Sequence, residues 1–501
     1  MKEKLDQLKA LLLEVDNLNK ANAVLQWDQA TYMPPGGAEA RGRQSATLAR
    51  LAQEKFIDPV IGKLLDELQP YVESLPYDSD DACLIRVARH DYERAVMIPP
   101  DFVAQLSNHS TRTYQVWSEA RPANDFARVQ PLLEKTLDLS RQLAGYFPGY
   151  DHIIDPLVDF SDQDMKASTL SAIFAELRKE LVPIVKAITS QPPADDSCLR
   201  HSFPSDQQIA ISKEIVTRLG YDFQRGRLDL THHPFETNFS VGDVRITTRI
   251  QENFFAECLY SVVHESGHAM YEQGIRPELD GSPLGGGTSA GVHESQSRLW
   301  ENIVGRSRGF CEFFYPRIKE MFPSQLGNVP VEVFYRAINK VEPSLIRTDA
   351  DEVTYNLHVM LRFDFEMALL EGKLAIKDLP EAWKARVKQD IGIAPLDDRD
   401  GVLQDVHWYG GLIGGSFQGY TLGNILGAQF FAAALKAHPE IPSEIRQGNF
   451  APLHHWLIEN IYQHGHKFTA NELVERVTGG PIRIQPYIQY LKTKYGELYT
   501  L

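Results

Sequence analysis

Cysteine is scarce in this chain of 501 residues. The four present, Cys83, Cys198, Cys258 and Cys311, are scattered and form no C-x-x-C pair, which excludes a disulfide framework and a dithiol redox motif. They are expected to be buried free thiols in a reducing compartment. Basic charge is also short: 51 Lys and Arg stand against 67 Asp and Glu, a net charge of −16. So acidic a surface repels phosphate backbones and excludes nucleic acid as the main partner. Long apolar runs are missing as well. No stretch is long enough to span a bilayer, and Ala10–Leu13 is too short for the core of a secretion signal. The expectation is a cytoplasmic protein with no membrane partner. No repeat, low-complexity tract or linker divides the chain, so a single unit over 1–501 is expected.

What is there is helical periodicity. Leu5, Leu8, Leu11, Leu12 and Val15 recur at the three- and four-residue spacing of one apolar helix face. Met33-Pro34-Pro35-Gly36-Gly37 breaks the pattern. Further amphipathic stretches lie near 55–75, 80–95, 125–146 and 166–189, and Ser205–Leu219 reads as another helix. Strand signals are confined to 227–230 and 243–250, where Val244, Ile246, Thr248 and Ile250 alternate. The fold class predicted is mainly α, with a small β-sheet beside the middle of the chain.

The central chemical signal is Val262-Val263-His264-Glu265-Ser266-Gly267-His268. Histidines four apart on a helix sit about 40° apart around the axis, one turn up, so both imidazoles can share one tetrahedral Zn²⁺. Glu265, rotated about 100° from its neighbour, reaches a water on that ion without ligating it and can take its proton. The apolar stripe Phe254, Phe255, Cys258, Leu259, Val262 and Val263 precedes the motif, and Gly274 makes a helix end. A catalytic zinc needs a third protein ligand and an open position. After the glycine-rich loop Gly281-Ser282-Pro283-Leu284-Gly285-Gly286-Gly287, a helical stretch from Ser289 carries Glu294. By spacing alone Glu294 stands beside Glu272, Glu278, His293 and Glu301 as candidates.

At these residues the sequence resembles the metallocarboxypeptidases of the carboxypeptidase Taq family. The blocks that carry the resemblance occur in order: His233-Pro234-Phe235; Asp243-Val244-Arg245-Ile246-Thr247; the histidine helix; His293-Glu294-Ser295-Gln296; Ile346-Arg347-Thr348-Asp349-Ala350-Asp351; and Gly401-Val402-Leu403-Gln404-Asp405-Val406-His407-Trp408. Leu25 to Pro34 is similar to the family's opening segment. The resemblance implies Glu294 as third ligand, a helical peptidase fold with a deep central groove, and zinc at its floor. It also implies removal of C-terminal residues with broad specificity, and a homodimer. The N-terminal helices, about 1–200, would form part of one groove wall, and the site would lie within about 225–425.

A carboxypeptidase must grip a terminal carboxylate, and the guanidinium fork suits this. Arg347 is the first candidate, against the alternative of an ion pair with Asp349 or Asp351. Arg245 is the second. It shares a strand face with Asp243 and Thr247 that either lines the groove, with an exposed edge for an extended peptide, or closes a local ion pair. His407 is either a donor to the oxyanion or a core histidine beside Trp408. His233 either orients substrate or closes a turn, Tyr420 is a further oxyanion donor, and Ser295 and Gln296 are candidates for supporting the ligand. Zn²⁺ is the cofactor expected, with Co²⁺ as substitute. The competing readings are an oligopeptidase cutting internal bonds and a non-catalytic helical scaffold around structural zinc.

Overall fold

Turn chemistry sets many of the boundaries. Pro34 and Pro35 lead into a 3₁₀ turn that separates α1 (Lys2–Thr31) from α2 (Ala38–Phe56). Asp58 caps α3 (Pro59–Val72) by accepting from the Val60 N–H, and Ser79 caps α4 (Asp80–Met97) through Ala82. The computed structural model, which describes residues 1–499 and 501, continues with α5 (Pro100–Ala123), α6 (Phe126–Gly145), the single turn α7 (Asp155–Val158), α8 (Ala167–Thr189) and α9 (Ser205–Leu219). The helix α5 escaped the periodicity argument because its polar sequence buries only Phe102, Thr113 and Ala120.

A three-stranded sheet follows: β1 (Leu228–Leu230), β2 (Glu236–Ser240) and β3 (Asp243–Thr248), in the order β1-β3-β2. The strand β3 pairs parallel with β1 and antiparallel with β2, and so has no free edge. The expectation that its edge could take an extended peptide is corrected by β2, a strand the sequence reading missed. Every residue of Glu-Thr-Asn-Phe-Ser is half-buried, so no apolar alternation marks it. The alternation seen in β3 is real: Val244 and Ile246 are buried while Asp243 and Arg245 face the other way.

The rest of the chain is helical, with α10 (Phe255–Gln273), α11 (Ala290–Arg298), α12 (Arg308–Met321), α13 (Pro323–Leu326), α14 (Val331–Ile338), α15 (Tyr355–Leu370) and α16 (Leu379–Asp390). The last elements are α17 (His407–Gly410), α18 (Gln418–Ala437), α19 (Ile441–Arg446), α20 (Ala451–Asn460), α21 (Ala470–Thr478) and α22 (Gln485–Leu498). The expected class, mainly α with a small sheet, is the one observed. All four cysteines are buried and free. Among the described residues no helix is long and apolar enough to cross a membrane.

Two apolar clusters form. The larger runs from Phe102 to Tyr499 and contains the buried faces of α10, α11 and α18. The smaller joins Leu5, Leu8 and Leu12 of α1 to α3 and α4, and receives Val241, Ile275, Leu279 and Leu284 from the segments around α10. At the centre, α11 lies between α10 and α18 at glycine contacts. A Cβ on Gly267 of α10 would meet Ser297 Cα at 2.6 Å, and one on Gly423 of α18 would meet Glu294 Cγ at 2.5 Å. Both positions therefore need the hydrogen side chain for the helices to approach this closely.

Candidate metal centre

Helix α10 presents His264 and His268 on one face, and α11, capped by Ser289 on the Val292 N–H, brings Glu294 against them. Glu294 Oε2 lies 3.4 Å from His268 Nε2 and 3.8 Å from His264 Nε2. The ligand atoms of the three residues all fall within 4.8 Å of one another. Donors about 2.0–2.1 Å from a tetrahedral ion are separated by about 3.3 Å, so the cluster fits one divalent cation with little adjustment. Of the rival ligands named from spacing, Glu272, His293 and Glu301 lie one layer behind, and Glu278 is exposed on the loop after α10. No Cys or third His joins the cluster among the described residues, which is the open arrangement of a catalytic rather than a structural site.

Each ligand is held from behind. His264 Nδ1–H donates to Glu301 Oε2 at 2.9 Å. Burial opposes the charge of Glu301, yet Arg298, His264 and Arg306 keep its pKa down at about 2. Arg298 Nε donates to Glu294 Oε1 at 2.7 Å and Nη1 to Glu301 Oε2 at 3.2 Å. With Oε1 on Arg298, Oε2 is the Glu294 oxygen that faces the histidines and would be its ligand atom for a metal. Burial again opposes charge on Glu294, and Arg298 with the two histidines outweighs it, holding the carboxyl well below its ordinary range. Burial pushes His268 down to about 4, so it is a neutral imidazole ready to ligate. Glu301 reaches its place from a π-helical turn, Leu299–Val304, that extends α11; such turns recur at functional sites.

Glu265 sits between the histidines in sequence and outside the ligand set in space. It is buried, and burial pushes its pKa up to about 7 against the pull of His264, with Glu294 and Glu301 adding to the rise. Glu236 on β2 supplies a second perturbed carboxyl, raised to about 8 by burial. Its Oε1 is enclosed and has no hydrogen-bond partner.

A second polar cluster centres on Asp405. Arg347 Nε donates to Asp405 Oδ2 at 2.6 Å and Arg362 Nε at 3.0 Å, while Oδ1 accepts from His407 Nδ1. Burial works against the Asp405 charge, but Arg362, His407 and Arg347 hold the carboxyl well below its usual range. His407 Nε2 lies 3.2 Å from the Tyr420 hydroxyl. The rings of Tyr355 and Tyr420 lie under the Arg347 guanidinium, and Tyr355 also lies under Arg298, so the two clusters adjoin.

The family model of the carboxypeptidase Taq (M32) metallopeptidases matches residues 7–495. The chain belongs to the carboxypeptidase Taq family. Among relatives, thermostable carboxypeptidase 1 of Thermus thermophilus is 43% identical over 498 residues, covering 97% of each chain. Carboxypeptidase 1 of Bacillus subtilis is 34% identical over 492 residues, 98% of each. The crystal structure of an M32 carboxypeptidase from Deinococcus radiodurans R1 superposes with a TM-score of 0.97 at 48% identity, covering all of both chains. As a carboxypeptidase Taq family member the chain is a metallocarboxypeptidase, a hydrolase of peptide bonds that works with a divalent metal.

Within this family member the residues named from sequence separate into three groups. His264, Glu265, His268 and Glu294 converge. Arg347, His407 and Tyr420 gather on Asp405; the partner of Arg347 is that residue, not Asp349 or Asp351. The third group bonds elsewhere: Arg245 makes a two-pronged pair with Asp243 at 2.7 and 2.8 Å and lies over Trp27, while His233 is exposed on the bend before β2. Ser295 and Gln296 are buried beside Glu294 but bond to Val292 O and to each other rather than to the ligands. Arg298, Asp405 and Tyr355 had no role in the sequence reading. Only the spacing of Arg298 and Glu301, four and seven residues past Glu294, hinted at a shared helix face.

Proposed function

We propose that this chain is a zinc-dependent carboxypeptidase that removes C-terminal residues from peptides with broad preference, acting as one peptidase unit. The carrying observation is the His264–His268–Glu294 cluster beside a buried, unligated Glu265 with a pKa of about 7. Two imidazoles and one carboxylate favour zinc, with Co²⁺ as substitute. Bound there, zinc supplies Lewis acidity to a water and to the scissile carbonyl.

The chain's own groups do the rest. Glu265 accepts a proton from the attacking water and delivers it to the leaving amine, a task for which a pKa near 7 is well matched. The Tyr420 hydroxyl, oriented by His407, donates to the oxygen on which charge develops. Arg347 has its Nε on Asp405 and Nη1 on Tyr355, while Nη2 has no protein partner among the described residues and is left for the substrate's terminal carboxylate. Arg245, Asp243 and His233 are assigned to substrate binding beyond the terminal residue, since none of them bonds to either cluster among the described residues. Family membership also supports a homodimer as the working assembly.

End recognition is the discriminating property. A peptide and its C-terminally amidated twin are compared with the zinc-loaded enzyme, and products are read by mass. Loss of cleavage on amidation is expected. Equal cleavage, or products cut internally, would replace this reading with that of an oligopeptidase.

A further inference from the structure

The two histidine ligands are supported in different ways. Behind His264 stands a carboxylate, Glu301, whose charge is already matched by Arg298 and Arg306. Behind His268 stands a third imidazole. His268 Nδ1 and His293 Nδ1 are 2.6 Å apart, and His293 Nε2 is 2.8 Å from Glu272 Oε1. Because Nε2 of His268 faces Glu294, Nδ1 is the nitrogen that carries its hydrogen when Nε2 is a lone-pair donor. His293 Nδ1 must then accept, which leaves Nε2–H to donate to Glu272. Each tautomer in the chain fixes the next.

Glu272 is the anchor. It lies one turn past His268 on α10, is 2% exposed, and accepts from the Gly287 N–H at 2.8 Å. No lysine or arginine pairs with it among the described residues; its ion-pair partner is His293. A buried carboxylate without a cation is costly, and the imidazoles of His293 and His268 form the hydrogen-bonded line that joins Glu272 to the metal centre. The glycine loop closes over the arrangement. A Cβ on Gly287 would come within 2.7 Å of His293 Cδ2 and of Tyr271 Cε1, and 3.0 Å of Glu272 Oε1, so the loop can approach only without a side chain there.

Resting on the zinc reading above, we propose that Glu272 and His293 are positioning residues for the metal. The His268–His293–Glu272 relay locks His268 with Nε2 as its ligand atom, and conveys the Glu272 charge to the cation. The last stretch of the glycine loop serves to seat this relay rather than to contact substrate.

The test is zinc affinity of the full chain, measured by competition with a chromogenic chelator. His293→Phe keeps the ring volume but neither hydrogen bond, whereas His293→Gln can accept from His268 with its carbonyl and donate to Glu272 with its amide. Expected is a zinc Kd about 10- to 100-fold higher for His293→Phe, with most of the loss recovered in His293→Gln. Glu272→Gln should weaken zinc as well. The d–d absorption of the Co²⁺-loaded protein should shift in His293→Phe and return toward wild type in His293→Gln. A His293→Phe variant with the wild-type Kd overturns the relay, as does a His293→Gln variant no better than His293→Phe. Wild-type protein that takes up no zinc would instead remove the metal reading itself. Circular dichroism of each variant separates these outcomes from loss of fold: should His293→Phe not fold, Glu272→Gln decides, and a wild-type Kd there overturns the relay.

Discussion

A single carboxylate makes the sharpest residue-scale claim. Glu265 is buried with a pKa pushed up to about 7, yet it lies outside the ligand cluster. Glu265→Gln should therefore keep its zinc, read by metal analysis, while turnover falls by about 10²- to 10⁴-fold, the range for losing a general base. A variant with undiminished turnover would sink the proposed role. At this scale the sequence was legible wherever chemistry is local. Two histidines and a glutamate within five positions of a helix declare themselves through helical geometry alone. Glu294 was one of five candidates by spacing and needed the family resemblance to stand out. Arg298 and Asp405 were not legible, and Glu272 was legible only as a rival ligand, since ion-pairing residues are plentiful in any soluble protein and only the tertiary fold says which of them face a ligand.

Between elements, the metal centre depends on how closely α11 is gripped. Gly267 on one side and Gly423 on the other bring its neighbours to within what a methyl group would fill. Gly423→Ala must push against Glu294 Cβ and Cγ, moving the third ligand while leaving both histidines in place. Zinc affinity should drop by about 10- to 100-fold, as for other disturbed ligand supports, with the helical content unchanged by circular dichroism. An unaltered zinc Kd would show that α11 tolerates the displacement. Helices α1, α3, α4, α6, α8 and α9 were readable from apolar periodicity, and α10 ends at the Gly274 that the sequence pointed to. What was not readable has physical causes. The strand β2 is half-buried throughout and owes its state to pairing with β3. The π turn after α11 leaves no mark in apolar spacing. A strand's place at the centre or edge of a sheet is decided by its neighbours.

Across the whole molecule, burial and ion pairing tie stability to pH. His90 on α4 bonds Asp159 and Asp91. Burial opposes its charge, but the two carboxylates prevail and raise its pKa to about 9. The unfolded value is about 6.5, so the folded state binds the proton more tightly. This contribution is complete below about pH 6.5 and disappears as pH climbs through about 9. The melting temperature should decline across that window, and His90→Gln should flatten the decline. Equal slopes for the two proteins would assign the effect to other groups.

The two separate apolar clusters have a consequence for how the protein breathes. The layer formed by α1, α3 and α4 holds itself together with its own leucines; outside them its apolar cluster takes in Val241, Ile275, Leu279 and Leu284, and polar ties such as His90–Asp159 join it to the rest. The metal helices lie wholly within the larger core. Backbone amides of the amino-terminal layer should thus trade protons for deuterons in a partial opening that leaves α10, α11 and α18 protected. Seen by mass spectrometry, the enzyme would loosen from its N-terminal flank while its reactive centre stays shut.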